Sequence, residues 1–407
     1  MPISIIWFIS VLCVLFQFSI QLSSGVIIDA VGQDLKLSAL DSGILSGSFY
    51  YIYAALQIPV GLIFDFNSTR FWMMFGTFVC ALGCFCFAIS QNFYLLIIAR
   101  LITGSGAAFA FVGLSHILRR HFALKHFAFM IGFSEIFVFL ATGVATISLG
   151  LFIEQLGWRF FLHLAAWLGF IIALLSGFII PKTASQPISV SPFKALQIIL
   201  KSKRIWLNGL YVSLTFSVIT VFGSMWAVPF LQLKLNCSLQ QASVLDAMIF
   251  CGAGVSCPLF GYLAISMNRQ RLMLISCFAT LILLMLLLFV PNMNFMTCGF
   301  LMFGIGLCCG AYMLSYAVAN DLSPPYALST CAGFTNTMAI ISAPLMQFII
   351  GVGIDKLPFS TRLLNFQCAL VLIPLSLLGA ALIVMIAFTP TFSNLYQRIF
   401  SNHARSF

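Results

Sequence analysis

Runs of about twenty apolar residues recur along the whole chain, each long enough to cross roughly 30 Å of hydrocarbon at about 1.5 Å per helical residue. Lipid offers backbone amides no water, so spanning segments must be helices or a closed barrel. Runs of this length, rather than alternating strands of about 10 residues, select helices. Composition points the same way. Of 407 residues, 62% are hydrophobic and 7% charged, whereas a soluble chain carries about a quarter charged residues. The expectation is an all-α integral membrane protein with twelve transmembrane helices, at 4–29, 42–64, 71–89, 94–116, 127–151, 159–180, 205–230, 241–265, 272–290, 295–319, 328–352 and 365–388. Connections are short except 181–204, which is polar, basic and proline-bearing. It divides the chain into a six-helix bundle (1–180), a cytoplasmic linker (181–204), a second six-helix bundle (205–388) and a cytoplasmic tail (389–407).

The net charge of +10 does not form a nucleic-acid-binding patch, because the basic residues flank spans. With the N-terminus inside, the inner loops and tail hold thirteen of the nineteen Lys and Arg residues, the outer side holds five, and Arg100 lies within a span. That bias places both termini in the cytoplasm. The N-terminal run lacks a preceding basic residue and a small-residue cleavage site, so it reads as a retained first helix. Most of the thirteen cysteines fall inside spans and read as small apolar free thiols, with Cys237 in an outer loop.

The two halves repeat. Gly61 matches Gly261, and Gly104 and Gly106 match Gly304 and Gly306, at an offset of 200 residues. Gly132-Phe-Ser-Glu135 matches Gly333-Phe-Thr-Asn336 at an offset of 201. Repeats of this kind place a binding site between the halves near mid-membrane. The stretch Gly61-Leu-Ile-Phe-Asp65-Phe-Asn-Ser-Thr-Arg70 joins the second and third spans. Its glycine permits close helix approach, and its acid can face the positive end of a helix. Such a charge cluster can latch two bundles in one state and release them in another. The second copy, Gly261 to Arg269, has Ile265 in place of the acid, so a latch formed by Gly61, Asp65, Arg70 and Arg269 would be asymmetric.

These residues resemble the loop signature of the major facilitator superfamily, although Asn67 to Thr69 replace its usual inner glycine and basic residues. Arg100 with Gly104 and Gly106 resembles the signature of that family's fourth helix, and Gly157-Trp-Arg-Phe-Phe161 the segment leading into its sixth. The proline of drug antiporters is absent from Gly143 to Gly150, which weighs against drug export. The resemblance implies the major facilitator fold in two six-helix repeats. Narrower stretches are similar to the phagosomal nutrient transporters of bacteria living in host vacuoles: Ser48 to Gly61, Trp226 to Leu231, Pro258 to Gly261 and Gly333 to Asn336. That similarity implies proton-driven uptake of amino acids, nucleosides or dipeptides by a monomer in the bacterial inner membrane, with no cofactor. Related sequences include siderophore and dipeptide carriers, and the alternatives are an exporter of the same fold (siderophore or metabolite efflux) or a membrane sensor without flux.

Ionisable groups within spans are rare because each costs several kcal/mol in hydrocarbon. Arg100 reads as a carboxylate contact, part of a proton relay, or a structural bond to backbone carbonyls. Glu135 reads as a proton carrier or a neutral acid bonded to Ser or Thr, and its repeat partner Asn336 as a substrate-orienting amide. Asp246 reads as a helix cap, an interface residue or a coupling group. Gln21, Gln57, Tyr316 and Trp226 complete the candidate set, with Gln17, Tyr50, Tyr53 and Tyr312 nearby, and several of the aromatics are expected only to pack. His116, His121 and His126 read as solvated or lipid-facing. No Gly-Lys-Ser/Thr phosphate loop, His-Glu-x-x-His pair or Gly-x-Ser-x-Gly elbow occurs, so the chain does not read as an enzyme.

Overall fold

The computed structural model describes residues 2–22, 27, 31, 34–37, 39–122, 126–182 and 192–387. Its first helices are α1 (Ile3–Leu22), α2 (Ala39–Phe66), α3 (Thr69–Ile89) and α4 (Phe93–His121). The helix Phe127–Ile179 is broken only at Gly157 (φ 77°, ψ 156°), which yields two arms, α5 (127–156) and α6 (158–179). Then follow α7 (Lys203–Leu235), α8 (Leu239–Ser266), α9 (Arg269–Phe289), α10 (Phe295–Leu322), α11 (Leu328–Lys356) and α12 (Arg362–Ile386). A short helix, Pro192–Lys201, occupies part of the expected linker. Lys125 and the expected tail lie outside the described residues.

Polar residues start the helices where the chain turns back. Asn92 accepts a hydrogen bond from the Leu95 amide (3.0 Å), and Ser238 and Gln241 form a reciprocal capping box. The fifth span was expected to end at 151, but helix continues to Gly157. There the positive φ, which glycine adopts without strain, makes the turn without a separate loop. In α7 a widened π-helical stretch, Val218–Trp226, interrupts the regular helix. The Thr220 carbonyl there accepts from Ser224 Oγ (2.5 Å) and from Gln347 Nε2 of α11 (2.8 Å). Large apolar side chains such as Phe78, Trp167, Phe178, Phe300 and Phe348 face outward, as a lipid solvent requires.

Two seams join the halves, and they are the same contact made twice. In α11, Gly333 lies on the backbone of Gln57 in α2; a Cβ there would sit 2.2 Å from the Gln57 carbonyl oxygen. In α5, Gly132 lies on Cys257 in α8, where a Cβ would sit 2.4 Å from the carbonyl. Gln57 and Cys257 stand 200 positions apart, and Gly132 and Gly333 stand 201 apart. Among the described residues the fold is therefore twelve long helices in two six-helix repeats, with its interior between α2, α5, α8 and α11.

A candidate site between the halves

One end of the molecule is closed around Asp65. Its carboxylate accepts hydrogen bonds from the Ser329 amide (2.8 Å), the Thr330 amide (2.7 Å) and the Thr330 hydroxyl (2.6 Å). These amides belong to the first turn of α11, whose own N-cap residue, Ala327, offers no side-chain bond. Asp65 thus caps a helix of the other half. A Cβ on Gly61 would lie 2.5 Å from the Ser329 carbonyl oxygen, so only glycine there lets the acid reach. Arg119 of α4 adds bonds to Asn320 Oδ1 (3.2 Å) and Ser329 Oγ (3.0 Å), and His116 Nδ1 lies 2.8 Å from Ser329 Oγ. His116 therefore lies in the seam, contrary to the solvated or lipid-facing position expected for it. Helix periodicity carries it inward, because it is one turn from Arg119 on the seam-facing side of α4. Arg70 donates to the Gly177 carbonyl of α6, and Arg269 pairs with Asp321 of α10, so both act within their own halves. At the equivalent start of α5, the N-cap His126 makes no side-chain cap bond, and position 265 is isoleucine.

Deeper inside, the Asn336 carboxamide ties three helices together. Its Oδ1 accepts from the Tyr316 hydroxyl of α10 (2.8 Å), and its Nδ2 donates to the Tyr53 hydroxyl of α2 (3.0 Å). All three side chains are buried. Glu135 is the repeat counterpart of Asn336, but the counterpart of Tyr53 is Ala253. Glu135 is 2% exposed, and neither carboxyl oxygen has a hydrogen-bond partner among the described residues. Tyr53, Tyr312, Tyr316 and Cys257 are titratable groups near it. Gln57 is fully buried beside the Tyr53 hydroxyl without a well-formed bond.

The remaining candidates lie elsewhere. Arg100 is buried in the first half, with Cζ 5.0 Å from the Phe49 ring centroid. It borders a small cavity with Ile20, Ile27, Cys84, Phe87, Thr103 and Leu162. Gln21 accepts a bond from Gln17 Nε2 (2.6 Å) within α1. Asp246 is buried one residue beyond the second turn of α8, and Ser238, not Asp246, caps that helix. The capping role considered for Asp246 is therefore excluded. Trp226 packs edge-on to Phe366 of α12 (6.1 Å) and against Gly351, away from Glu135 and Asn336. The sequence reading missed Arg119 and Thr330. Pro324-Pro325 marks the start of α11 and could have pointed to the amides that Asp65 meets.

Two six-helix repeats meeting at glycine seams around a buried polar interior define a membrane carrier rather than an enzyme. The model of the Major Facilitator Superfamily matches residues 7–346, and the chain belongs to that family. It is a secondary transporter that moves small molecules across a lipid bilayer. Among solved structures, it is similar to a bacterial homolog of the human lysosomal transporter Spinster in an inward-facing, unoccupied conformation. The TM-score is 0.70 at 15% identity, covering 95% of this chain and 99% of that one, a likeness of fold. No curated protein sequence matches the chain.

Proposed function

We propose that the protein imports a small polar metabolite of the amino acid, nucleoside or dipeptide class, coupled to protons, by rocking residues 1–180 against residues 205–388. Glu135 carries this reading: it is a buried carboxyl at the seam with no hydrogen-bond partner among the described residues. Such a group needs a proton, or a donor from a ligand, in each state it visits. Asn336, Tyr53 and Tyr316 form the neutral wall that would orient substrate, and Gln57 places its carboxamide beside the Tyr53 hydroxyl. Few fixed charges and several hydroxyls suit a zwitterion or an uncharged polar solute. The similarity to phagosomal nutrient transporters supports import across a bacterial inner membrane by a monomer with both termini cytoplasmic, which makes the Asp65 end the inner one.

Capping of α11 by Asp65 would hold that end closed while substrate loads from the other side. Loss of those bonds would let α2 and α11 part and release substrate inward. Arg100, in the first half, would sense the carboxylate of a zwitterion or hold α4 in place. A thermal-shift panel of amino acids, nucleosides and dipeptides identifies the ligand. Uptake of that ligand into proteoliposomes is then measured with and without a pH gradient. Uptake indifferent to the gradient would remove proton coupling, and counterflow outward in whole cells would make the protein an exporter.

A further inference from the structure

Asp246 has no part in the seams or in the cluster around Asn336. It is 3% exposed, and its Oδ1 has no hydrogen-bond partner among the described residues. On one side of it, Leu245 and Ile249 face Gly299 and Gly306 of α10; on the other, Ala247 faces Gly143 of α5. Asp246 therefore projects into the interior between α5 and α10. One turn further along the same face, Phe250 stacks on Phe139 of α5, with centroids 6.5 Å apart and planes at 16°. Phe18 of α1 closes edge-on to Phe139 at 6.4 Å, and Gly223 of α7 backs Phe250.

The register of α5 and α8 fixes where the two carboxyls lie. Gly132 meets Cys257 and Gly143 meets Ala247, so the helices run antiparallel. Glu135 lies four residues before Phe139, and Asp246 four before Phe250. The two acids thus sit on opposite sides of the ring pair, roughly 12 Å apart along the axis. Each is buried, and each has carboxyl oxygen left without a partner among the described residues.

We propose that Asp246 and Glu135 are two proton-binding sites in series, separated by the Phe139–Phe250 pair, with Asp246 receiving the proton first from the end opposite Asp65. The proposal rests on the proton-coupled reading above and extends it to a residue and a barrier. A proton needs one oxygen, whereas a calcium-like ion needs about six or more; among the described residues no three His, Cys, Asp or Glu side chains gather to hold a metal. The Asp246 carboxylate takes up a proton and becomes a neutral acid. When the rings part, water admitted between the two carboxyls accepts the proton from Asp246 and delivers one to the Glu135 carboxylate, Asp246 returning to its anion with no change of oxidation state. Around Glu135 the titratable neighbours are Tyr53 of α2, Cys257 of α8, and Tyr312 and Tyr316 of α10.

The test is infrared spectroscopy of the full chain in lipid bilayers, following the protonated-carboxyl C=O stretch through pH steps and through exchange from H2O to D2O. Among the titrating carboxyl bands of the wild type, one should be lost in Asp246→Asn and another in Glu135→Gln. Asp246→Glu, which keeps the acid, should retain both, and an unchanged melting transition establishes that each variant is folded. Should Asp246→Asn fail to fold, Asp246→Ser replaces it. In Asp246→Asn the isotope shift of the Glu135 band should slow by about a hundredfold, the worth of a positioned proton carrier. In Phe250→Ala it should quicken. A spectrum that loses no band in Asp246→Asn, or a Glu135 exchange rate unchanged in Asp246→Asn, overturns the series. Both bands present in a protein without gradient-driven flux would instead sink the coupling reading and leave the two-site assignment standing.

Discussion

Asp65 supplies Thr330 with the cap that Ala327 cannot, bonding both its amide and its hydroxyl from the other half of the molecule. A helix start that depends on a side chain outside its own repeat is uncapped whenever the halves separate there. Removing a cap costs about 1 kcal/mol, roughly a fivefold change in a two-state equilibrium. Asp65→Ala should therefore shift the carrier away from the state closed at this end and slow turnover, with substrate affinity little changed. Flux and ligand-dependent melting measured on the same preparation separate the two effects.

Gly333→Leu should act on the same equilibrium by sterics. Its Cβ would sit 2.2 Å from the Gln57 carbonyl oxygen, so α2 and α11 cannot pack as they do here. Spin labels at Asn67 and Tyr326 should report a longer distance in this variant than in the parent, and an unchanged distance would show that the seam tolerates a side chain.

Glu135→Gln should abolish accumulation against a gradient while sparing exchange of substrate across the membrane. Wild-type accumulation by this variant would remove Glu135 from the coupling mechanism.

Tyr53→Phe deletes the acceptor of Asn336 Nδ2 and leaves that buried amide hydrogen unpaired, at a cost of about 1–3 kcal/mol. The expected outcome is a lower melting temperature. Combining it with Tyr316→Phe should give a non-additive loss, since both hydroxyls hold one carboxamide.

At the other end, Asp34 accepts a hydrogen bond from Arg159 (2.6 Å), and that bond, followed by the guanidinium charge, holds its carboxyl below the usual carboxylate range. A depressed folded-state pKa contributes stability that is present above the unfolded-state pKa and lost as pH falls through the folded one. Melting temperature should thus decline on the acid side in the wild type, and that part of the decline should be absent in Arg159→Gln. The effect is small because both side chains are half exposed.

Span number and repeat offset were legible in the sequence because hydrophobic length and glycine spacing are one-dimensional signals. So was the asymmetry at Ile265. Partnership was not. Asn336 and Glu135 occupy equivalent positions, yet only the structure shows that Tyr53 satisfies one while Ala253 leaves the other bare. His116 looked solvated or lipid-facing and Arg119 looked like a loop residue because their partners, Ser329 and Asn320, lie more than two hundred positions away. Trp226 looked like a cavity residue because span position does not give rotation, and the π-helical stretch before it changes that rotation.

That stretch in α7 also stores an angle. A π turn holds an extra residue, and each residue of an α-helix subtends about 100°. Tightening one turn of Val218–Trp226 into regular helix would swivel everything beyond it, Trp226 included, by about that much relative to Lys203–Ser217. The Thr220 carbonyl, tethered to Gln347 of α11, would feel the twist first. One helix could thus convert a local change of winding into a turning movement of its far end, with a lengthening of an ångström or two along its axis.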